Sequence, residues 1–208
     1  MKKVLKVCGM THSLNIKKVE AIKPDFMGFI FYQKSSRFLK VPPSYLPTKV
    51  NRVGVFVNEK QETIREIANL YSLDYIQLHG NESPIYCKEL QQEGFNLIKA
   101  FQISSISDLE NTTNYINSCQ YFLFDTPCSG YGGSGKQFNW DLLHQYENET
   151  PFFLSGGLSL KSISELRAFT HPKLIGYDIN SQFEIKPGIK SEAKVELFKN
   201  QLIKYNLL

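Results

Sequence analysis

The sequence predicts an α/β fold, a single compact (β/α)8 barrel spanning residues 1–208. Short apolar runs alternate with helical patterns, and eight such strand-then-helix units can be counted. The strand runs are apolar on both faces, as parallel strands covered by helices must be. No G-x-G-x-x-G fingerprint follows the first strand, where Cys8-Gly9-Met10-Thr11 stands instead. A closed barrel is therefore favoured over a doubly wound open sheet.

Each predicted strand is a short apolar run bounded by polar residues or by residues that favour turns. The runs are Lys3–Val7, Phe26–Phe31, Val53–Val57, Tyr75–Leu78, Asn96–Phe101, Tyr121–Phe124, Phe152–Leu154 and Leu174–Ile179.

Helices are predicted where apolar residues recur every three or four positions, as in Ser13–Lys23. Asn58 is the expected N-cap of the third unit's helix, with Gln61 completing a capping box. Ser83-Pro84 is typical of a helix start and begins the fourth unit's helix. The proline-rich segment Val41–Pro47 leaves room for only a short helix in the second unit. The remaining helices are expected at Ile106–Ile116, Trp140–Tyr146, Ser159–Phe169 and Ser191–Tyr205.

Composition argues against several classes of protein. The net charge is +4 and the lysines are not gathered in one block, so nothing indicates nucleic-acid binding. No apolar stretch approaches the length of a membrane span, and the amino-terminal apolar run is interrupted too early for a signal peptide. The cysteines show no CxxC pair or metal-ligand spacing, so free thiols in a reducing cytoplasm are expected. They are Cys8, Cys87, Cys119 and Cys128.

The stretch Tyr121–Trp140 carries the first candidate catalytic group. Its apolar strand ends in Asp125, and a loop with four glycines follows before the next helix. A carboxyl group at the end of a buried strand, next to a flexible glycine loop, suits a general acid beneath a lid. The alternative interpretation is an ordinary turn, in which Asp and Gly also occur together.

Two further strand ends predict a phosphate site. Ser155-Gly156-Gly157 follows strand seven, and Asp178-Ile179-Asn180-Ser181 closes strand eight. In barrels of this class, glycine loops at these two strands let backbone N–H groups approach an anion. Ordinary turns are the alternative. Such a site would imply a phosphorylated ligand without naming the reaction.

Three other strand ends carry reactive or charged side chains. Cys8 could be a nucleophile, a general base or only a small core residue. Arg37 follows strand two and could hold a carboxylate or phosphate in a bidentate way, or lie on the surface. His79, at the end of strand four, is either a catalytic residue or a hydrogen-bonded structural histidine, and the structural role is the more common one.

Together, these strand ends resemble one family, phosphoribosylanthranilate isomerase of tryptophan biosynthesis, from strand one to the last helix. The CGMT, QLHG and GGSG-x-x-F-x-W blocks are highly specific in combination. The resemblance rests on LKVCGMT (5–11), GFIFYQKSSR (28–37), VGVFVN (53–58), QLHG (77–80), FDTPCSGYGGSGKQFNW (124–140), LSGGL (154–158), GYDINSQFE (176–184) and PGIKS (187–191).

The resemblance implies an Amadori rearrangement, in which the furanose ring of N-(5-phosphoribosyl)anthranilate opens and becomes a 1-deoxyribulose chain. Asp125 matches the family's acid, Cys8 its base, and Arg37 the residue that holds the anthranilate carboxylate. No metal or organic cofactor is implied, and the expected partner is a phosphorylated small molecule, bound by a monomer or homodimer. The substrate-binding residues expected besides Arg37 are His79, Gly156, Gly157, Asp178, Asn180 and Ser181.

Two positions depart from the family pattern. Gln182 stands where a glycine is usual, and Asn180 where a serine is common, which puts phosphate affinity rather than the reaction in doubt. Two other functions stay open at this point. One is a phosphosugar-binding barrel that has lost catalysis, which would have a damaged acid or base. The other is a different phosphate-binding barrel enzyme, such as indole-glycerol-phosphate synthase, for which Lys99 would be the only candidate catalytic lysine.

Overall fold

The computed structural model describes residues 2–127 and 139–208, and it confirms the predicted barrel. Eight parallel strands close on themselves in sequence order, with the first strand paired to the eighth. The glycine loop predicted as a lid, with Cys128, Gly130, Gly132, Gly133 and Gly135, lies outside the described residues. The strands are β1 (Val4–Val7), β2 (Phe26–Ile30), β3 (Asn51–Phe56), β4 (Tyr75–Leu78), β5 (Leu97–Gln102), β6 (Tyr121–Asp125), β7 (Phe152–Leu154) and β8 (Leu174–Ile179).

Helices follow most strands, but they are shorter than the sequence predicts. Every residue between β2 and β3 is described, and none is helical, so the second unit lacks even the short helix considered for it. The predicted helix at 140–146 is a 3₁₀ helix, Trp140–Gln145. Three more 3₁₀ helices are Thr112–Tyr115, Leu160–Ser162 and Ser181–Phe183. The α-helices are α1 (Ser13–Ala21), α2 (Gln61–Tyr71), α3 (Pro84–Gln92), α4 (Ile106–Asn111), α5 (Ile163–Ala168) and α6 (Glu192–Lys204).

One predicted cap is confirmed and another is wrong. The Ser83 side chain accepts the N–H of Tyr86 at the start of α3. Asn58 does not cap α2, whose N-cap is Lys60. Asn58 has a left-handed backbone, φ 49°, and its Oδ1 accepts the N–H of Asn81 at 2.6 Å. A contact between two neighbouring loops therefore takes the oxygen that a local capping box would have used.

A short antiparallel hairpin after β8 was not predicted from the sequence. Its strands are β9 (Glu184–Lys186) and β10 (Ile189–Lys190), joined through Gly188 at φ 85°. The pairing brings the side chains of Glu184 and Lys190 together, 2.6 Å apart. The hairpin thus adds two charged groups beside the carboxyl end of the barrel.

Aromatic rings fill the barrel interior at the amino end of the strands. Phe26 packs edge-to-face on Tyr75 and on Phe153, with ring centroids 5.3 and 5.4 Å apart, and Tyr121 closes the group against Phe153 at 5.6 Å. Such pairs add to the free energy gained by burying the rings. This layer leaves polar groups to the opposite end, where the loops after the strands meet. Within the described parts of the chain, no helix is long and apolar enough to cross a membrane.

Candidate active site

The predicted site residues other than Arg37 meet around one cavity at the carboxyl end of the barrel. Parallel strands in a closed barrel all end at the same rim, so residues far apart in sequence become neighbours there. Gln77 and Ser155 also line this cavity. The lining residues that the sequence predicted are Cys8, His79, Asp125, Gly156, Gly157, Asp178, Asn180 and Ser181.

Cys8 lies directly after β1 and is 4% exposed. Its backbone N–H donates to the carbonyl oxygen of Ile179 at 2.9 Å, which continues the pairing of β1 with β8. On the neighbouring strand, a Cβ on Gly28 would stand 2.6 Å from the Cys8 sulfur, so glycine there leaves room for the thiol. Burial raises the pKa of the Cys8 thiol, and the ammonium of Lys6 opposes that rise.

Lys6 and Asp178 form a buried ion pair next to Cys8. They are register partners of β1 and β8, and the Lys6 ammonium donates to Asp178 Oδ1 at 3.0 Å. Their side chains are 0% and 6% exposed. Burial raises the pKa of the Asp178 carboxyl, although Lys6 opposes this. Burial would lower the pKa of Lys6, but Asp178 and Cys8 raise it above its ordinary value.

Asp125 ends β6 and makes contacts through both carboxylate oxygens. Oδ1 accepts the N–H of Thr126 at 2.8 Å, and Oδ2 lies 3.4 Å from Nε2 of His79. The other ring nitrogen of His79 lies 2.8 Å from the amide nitrogen of Gln77. If that amide donates to Nδ1, the proton of neutral His79 sits on Nε2, facing Asp125. Nε2 of His79 therefore faces the carboxyl group of Asp125.

Two glycines shape the loop after β7. Gly156 and Gly157 have φ values of 84° and 68°, in the left-handed region that other residues avoid. A Cβ on Gly156 would also stand 2.7 Å from the backbone nitrogen of Thr126, so this loop packs directly against the end of β6.

The loop after β8 contains both departures from the family pattern. The Asn180 Oδ1 accepts from the Lys190 ammonium at 2.6 Å. Gln182 lies in the 3₁₀ helix Ser181–Phe183, and it is not among the described residues that have a positive φ. Glutamine therefore takes the place of glycine here without left-handed backbone strain.

Arg37 does not line the cavity, and the structure pairs it with Glu184 of the hairpin. Its Nε donates to Oε1 at 2.9 Å and its Nη2 to Oε2 at 2.7 Å, with side-chain exposures of 12% and 5%. A Cβ on Gly9, which follows Cys8, would stand 2.9 Å from the Arg37 side chain. The guanidinium therefore lies beside the cavity and is held in a fixed orientation.

Four of the polar residues at the site were missed as site residues by sequence reasoning. A lysine in the middle of a buried strand is itself a signal, because lysine is almost never fully buried without a partner, and Lys6 could have been found in this way. Gln77, a buried amide in β4, carries the same kind of signal. Glu184 and Lys190 carry no such signal, because they are brought to the site by a hairpin that the local sequence does not predict.

The family model and two curated relatives of high identity agree on one family. The family model described as N-(5'phosphoribosyl)anthranilate (PRA) isomerase matches residues 5–201. The N-(5'-phosphoribosyl)anthranilate isomerase of Phocaeicola vulgatus is 49% identical over 199 residues, which cover 96% of this chain and 97% of that protein. That of Parabacteroides distasonis is 47% identical over 206 residues, covering 96% and 93%.

Solved structures of similar proteins share the fold. The phosphoribosyl anthranilate isomerase of Thermotoga maritima superposes with a TM-score of 0.80 at 30% identity, covering 97% of this chain and 99% of that one. A phosphoribosyl anthranilate isomerase in complex with reduced 1-(o-carboxyphenylamino)-1-deoxyribulose 5-phosphate superposes with a TM-score of 0.80 at 28% identity, with the same coverage.

Proposed function

The chain belongs to the N-(5'-phosphoribosyl)anthranilate isomerase family, and we propose that Asp125 and Cys8 are the general acid and general base of its reaction. The protein is an isomerase of tryptophan biosynthesis. It converts N-(5'-phosphoribosyl)anthranilate into 1-(o-carboxyphenylamino)-1-deoxyribulose 5-phosphate, the compound whose reduced form is bound in one solved relative.

Ring opening and the formation of the enolamine each need a proton transfer, at different atoms. Protonation of the furanose ring oxygen opens the ring and leaves an iminium ion at ribose carbon one. Removal of the proton at carbon two then gives an enolamine, which becomes the ketone when carbon one gains a proton and the hydroxyl group at carbon two loses one. No atom is gained or lost, so the site must deliver one proton and accept another. Asp125 suits the first step, with His79 beside it to exchange the proton, and Cys8 suits the second.

The observation that carries this proposal is the shared cavity. A thiol from the end of β1 and a carboxyl group from the end of β6 open onto one space, together with the two glycine loop residues after β7. The direct test is an assay of the purified chain with phosphoribosylanthranilate made in place, following the loss of its fluorescence. Fluorescence that decays no faster than in an enzyme-free sample would overturn the proposal.

For phosphate, the proposed site is formed by the loops after β7 and β8. The left-handed backbone at Gly156 and Gly157 supports this, because successive backbone N–H groups in such a loop can converge on an anion. Ser181 and the 3₁₀ helix that it begins supply the second side.

Gly157→Asp is expected to raise KM about 100-fold or more, since bringing like charges together costs several kcal/mol. Sulfate should also lose its ability to raise the melting temperature, because protection follows binding to the native state. Gly157→Asn is the matched control, with the same shape and the same backbone strain but no charge. If the aspartate and asparagine variants lose affinity equally, the phosphate does not lie near Gly157.

Arg37 is proposed to hold the anthranilate carboxylate, with Glu184 fixing the plane of the guanidinium. Arg37→Ala is expected to raise KM about 10–100-fold, because a hydrogen bond to a charged group contributes about 1.5–3 kcal/mol. Arg37→Lys should give a smaller but clear rise, since lysine keeps the charge and loses the two-pronged donor. Steady-state kinetics on variants with unchanged melting temperatures would check this, and equal KM values for all three proteins would remove Arg37 from the site.

Lys99 does not support the alternative of an indole-glycerol-phosphate synthase. Its ammonium lies 3.2 Å from Glu82 Oε2 and donates to the carbonyl oxygens of Gly80 and Ala100 at 2.8 and 3.0 Å. It is 2% exposed and does not line the cavity around Cys8. These contacts are those of a structural lysine that ties the loop after β4 to β5.

The proposed setting is the cytoplasm, with a phosphorylated small molecule as partner and neither nucleic acid nor membrane. Free cysteines at Cys8, Cys87 and Cys119, among the residues described, suit a reducing compartment. The chain is proposed to act as a monomer or homodimer. The relative from Thermotoga maritima is described as dimeric, and monomers were made from it.

A further inference from the structure

Lys6 is a buried cation beside Cys8 for which the acid and base roles give no explanation. It lies within β1, and its side chain is 0% exposed. Side chains alternate along a strand, so Lys6 and Cys8 lie on the same face. Burying a lysine costs stability, because its charge must be removed from water. The position of Lys6 therefore calls for an explanation.

The Lys6 ammonium lies near two groups that gain from a positive charge. It donates to Asp178 Oδ1 at 3.0 Å, across the β1–β8 pair, and Cys8 lies two residues further along the chain on the same face of the strand. The carboxylate of Asp178 thus holds the ammonium in place, on the strand face that also carries the Cys8 sulfur.

We propose that Lys6 is a positioning residue that keeps a positive charge against the Cys8 sulfur and so stabilises the thiolate. Its importance for turnover rests on the proposed role of Cys8 as general base, but the thiolate can be measured without catalysis. Failure of the Lys6 proposal and failure of the base assignment are therefore distinguishable.

The charges that face Cys8 come from three strands. Lys6 lies on β1, Asp178 on β8 and Lys190 on β10, and Asp178 in turn faces Asp125 and His79. Burial and Asp178 raise the pKa of the Cys8 thiol, whereas Lys6 and, more weakly, Lys190 lower it. Lys6 exerts the largest effect of these charges, so its removal leaves burial and Asp178 opposed only by Lys190.

The test is the pH dependence of Cys8 alkylation by iodoacetamide in the full chain, measured site by site with peptide mass spectrometry. Cys8 lines the cavity at the carboxyl end of the barrel, from which the reagent would approach it. In Lys6→Met the inflection of this pH dependence is expected to move about 1–3 pH units higher, as for loss of a nearby opposite charge. The acid limb of kcat/KM should move in the same direction. An inflection unchanged from wild type in a folded Lys6→Met protein overturns the proposal.

Lys99→Met is the matched control. It also removes a buried lysine from a barrel strand, but one paired with Glu82 rather than with Cys8. Its inflection is expected to equal that of wild type, and an equal shift in both variants would overturn the proposal by showing a general loosening of the barrel.

If Lys6→Met does not fold, Lys6→Met/Asp178→Asn removes both charges of the pair and avoids an unpaired buried carboxylate. Its inflection should still lie above wild type, by a smaller amount, because Lys6 outweighs Asp178 at Cys8. A wild-type inflection in this variant would likewise overturn the proposal.

Discussion

Replacing Asp125 with asparagine is expected to lower kcat by about 10²–10⁴-fold, the usual contribution of a positioned general acid. Asparagine keeps the size of the side chain, and its oxygen can still accept the N–H of Thr126. It has no proton to give to the ring oxygen, so ring opening loses its acid while the shape of the site is kept. Stopped-flow or steady-state fluorescence of phosphoribosylanthranilate would measure the loss.

Asp74→Asn is the matched control for this variant. Asp74 precedes β4 at the opposite end of the barrel, and its carboxylate also accepts a backbone N–H, that of Arg52 at 2.8 Å. Its replacement is expected to leave kcat close to wild type. If Asp125→Asn keeps more than about a tenth of the activity, well above the expected range, Asp125 is not the acid.

Cys8→Ala is the second substitution with a large expected effect, a fall in kcat of about 10²–10⁴-fold. Alanine leaves the backbone hydrogen bond from residue 8 to Ile179 intact but cannot accept the proton from carbon two. Cys8→Ser should fall similarly, because a hydroxyl group is a far weaker acid than a thiol and gives little anion near neutral pH.

Cys87→Ala separates catalysis from packing. Cys87 is a fully buried cysteine on α3, so its loss creates a comparable gap in the core away from the site. We expect a lower melting temperature with kcat near wild type. If Cys8→Ala were to behave in the same way, Cys8 would be a core residue rather than the base.

The proposed role of Cys8 as the base also predicts how activity depends on pH. Because burial raises the pKa of the Cys8 thiol, kcat/KM is expected to fall as the pH drops and the thiolate becomes protonated. An acid limb that persists unchanged in the residual activity of Cys8→Ala would assign that limb to another group.

The barrel could be predicted from the sequence because apolar runs and helix caps, the signals that predict its strands and helices, are local. Apolar runs place β4, β7 and β8 at the residues where the structure has them, and the serine cap of α3 is read from two adjacent residues. The candidate acid, base and phosphate residues share this property. Each stands directly after an apolar run, and the ends of parallel strands must meet at one rim.

Only the tertiary structure decided which polar groups touch one another. Lys6 meets Asp178, and Arg37 meets Glu184, through pairs that lie far apart along the chain. Asn58 likewise does not cap α2, because its side chain accepts a hydrogen bond from the loop after β4 instead. Periodicity reports which face of an element is buried, whereas a charged pair depends on the register and spacing of elements brought together by folding. The sequence therefore determined the barrel and the residues at its rim, and barrel closure determined the electrostatic environment of Cys8.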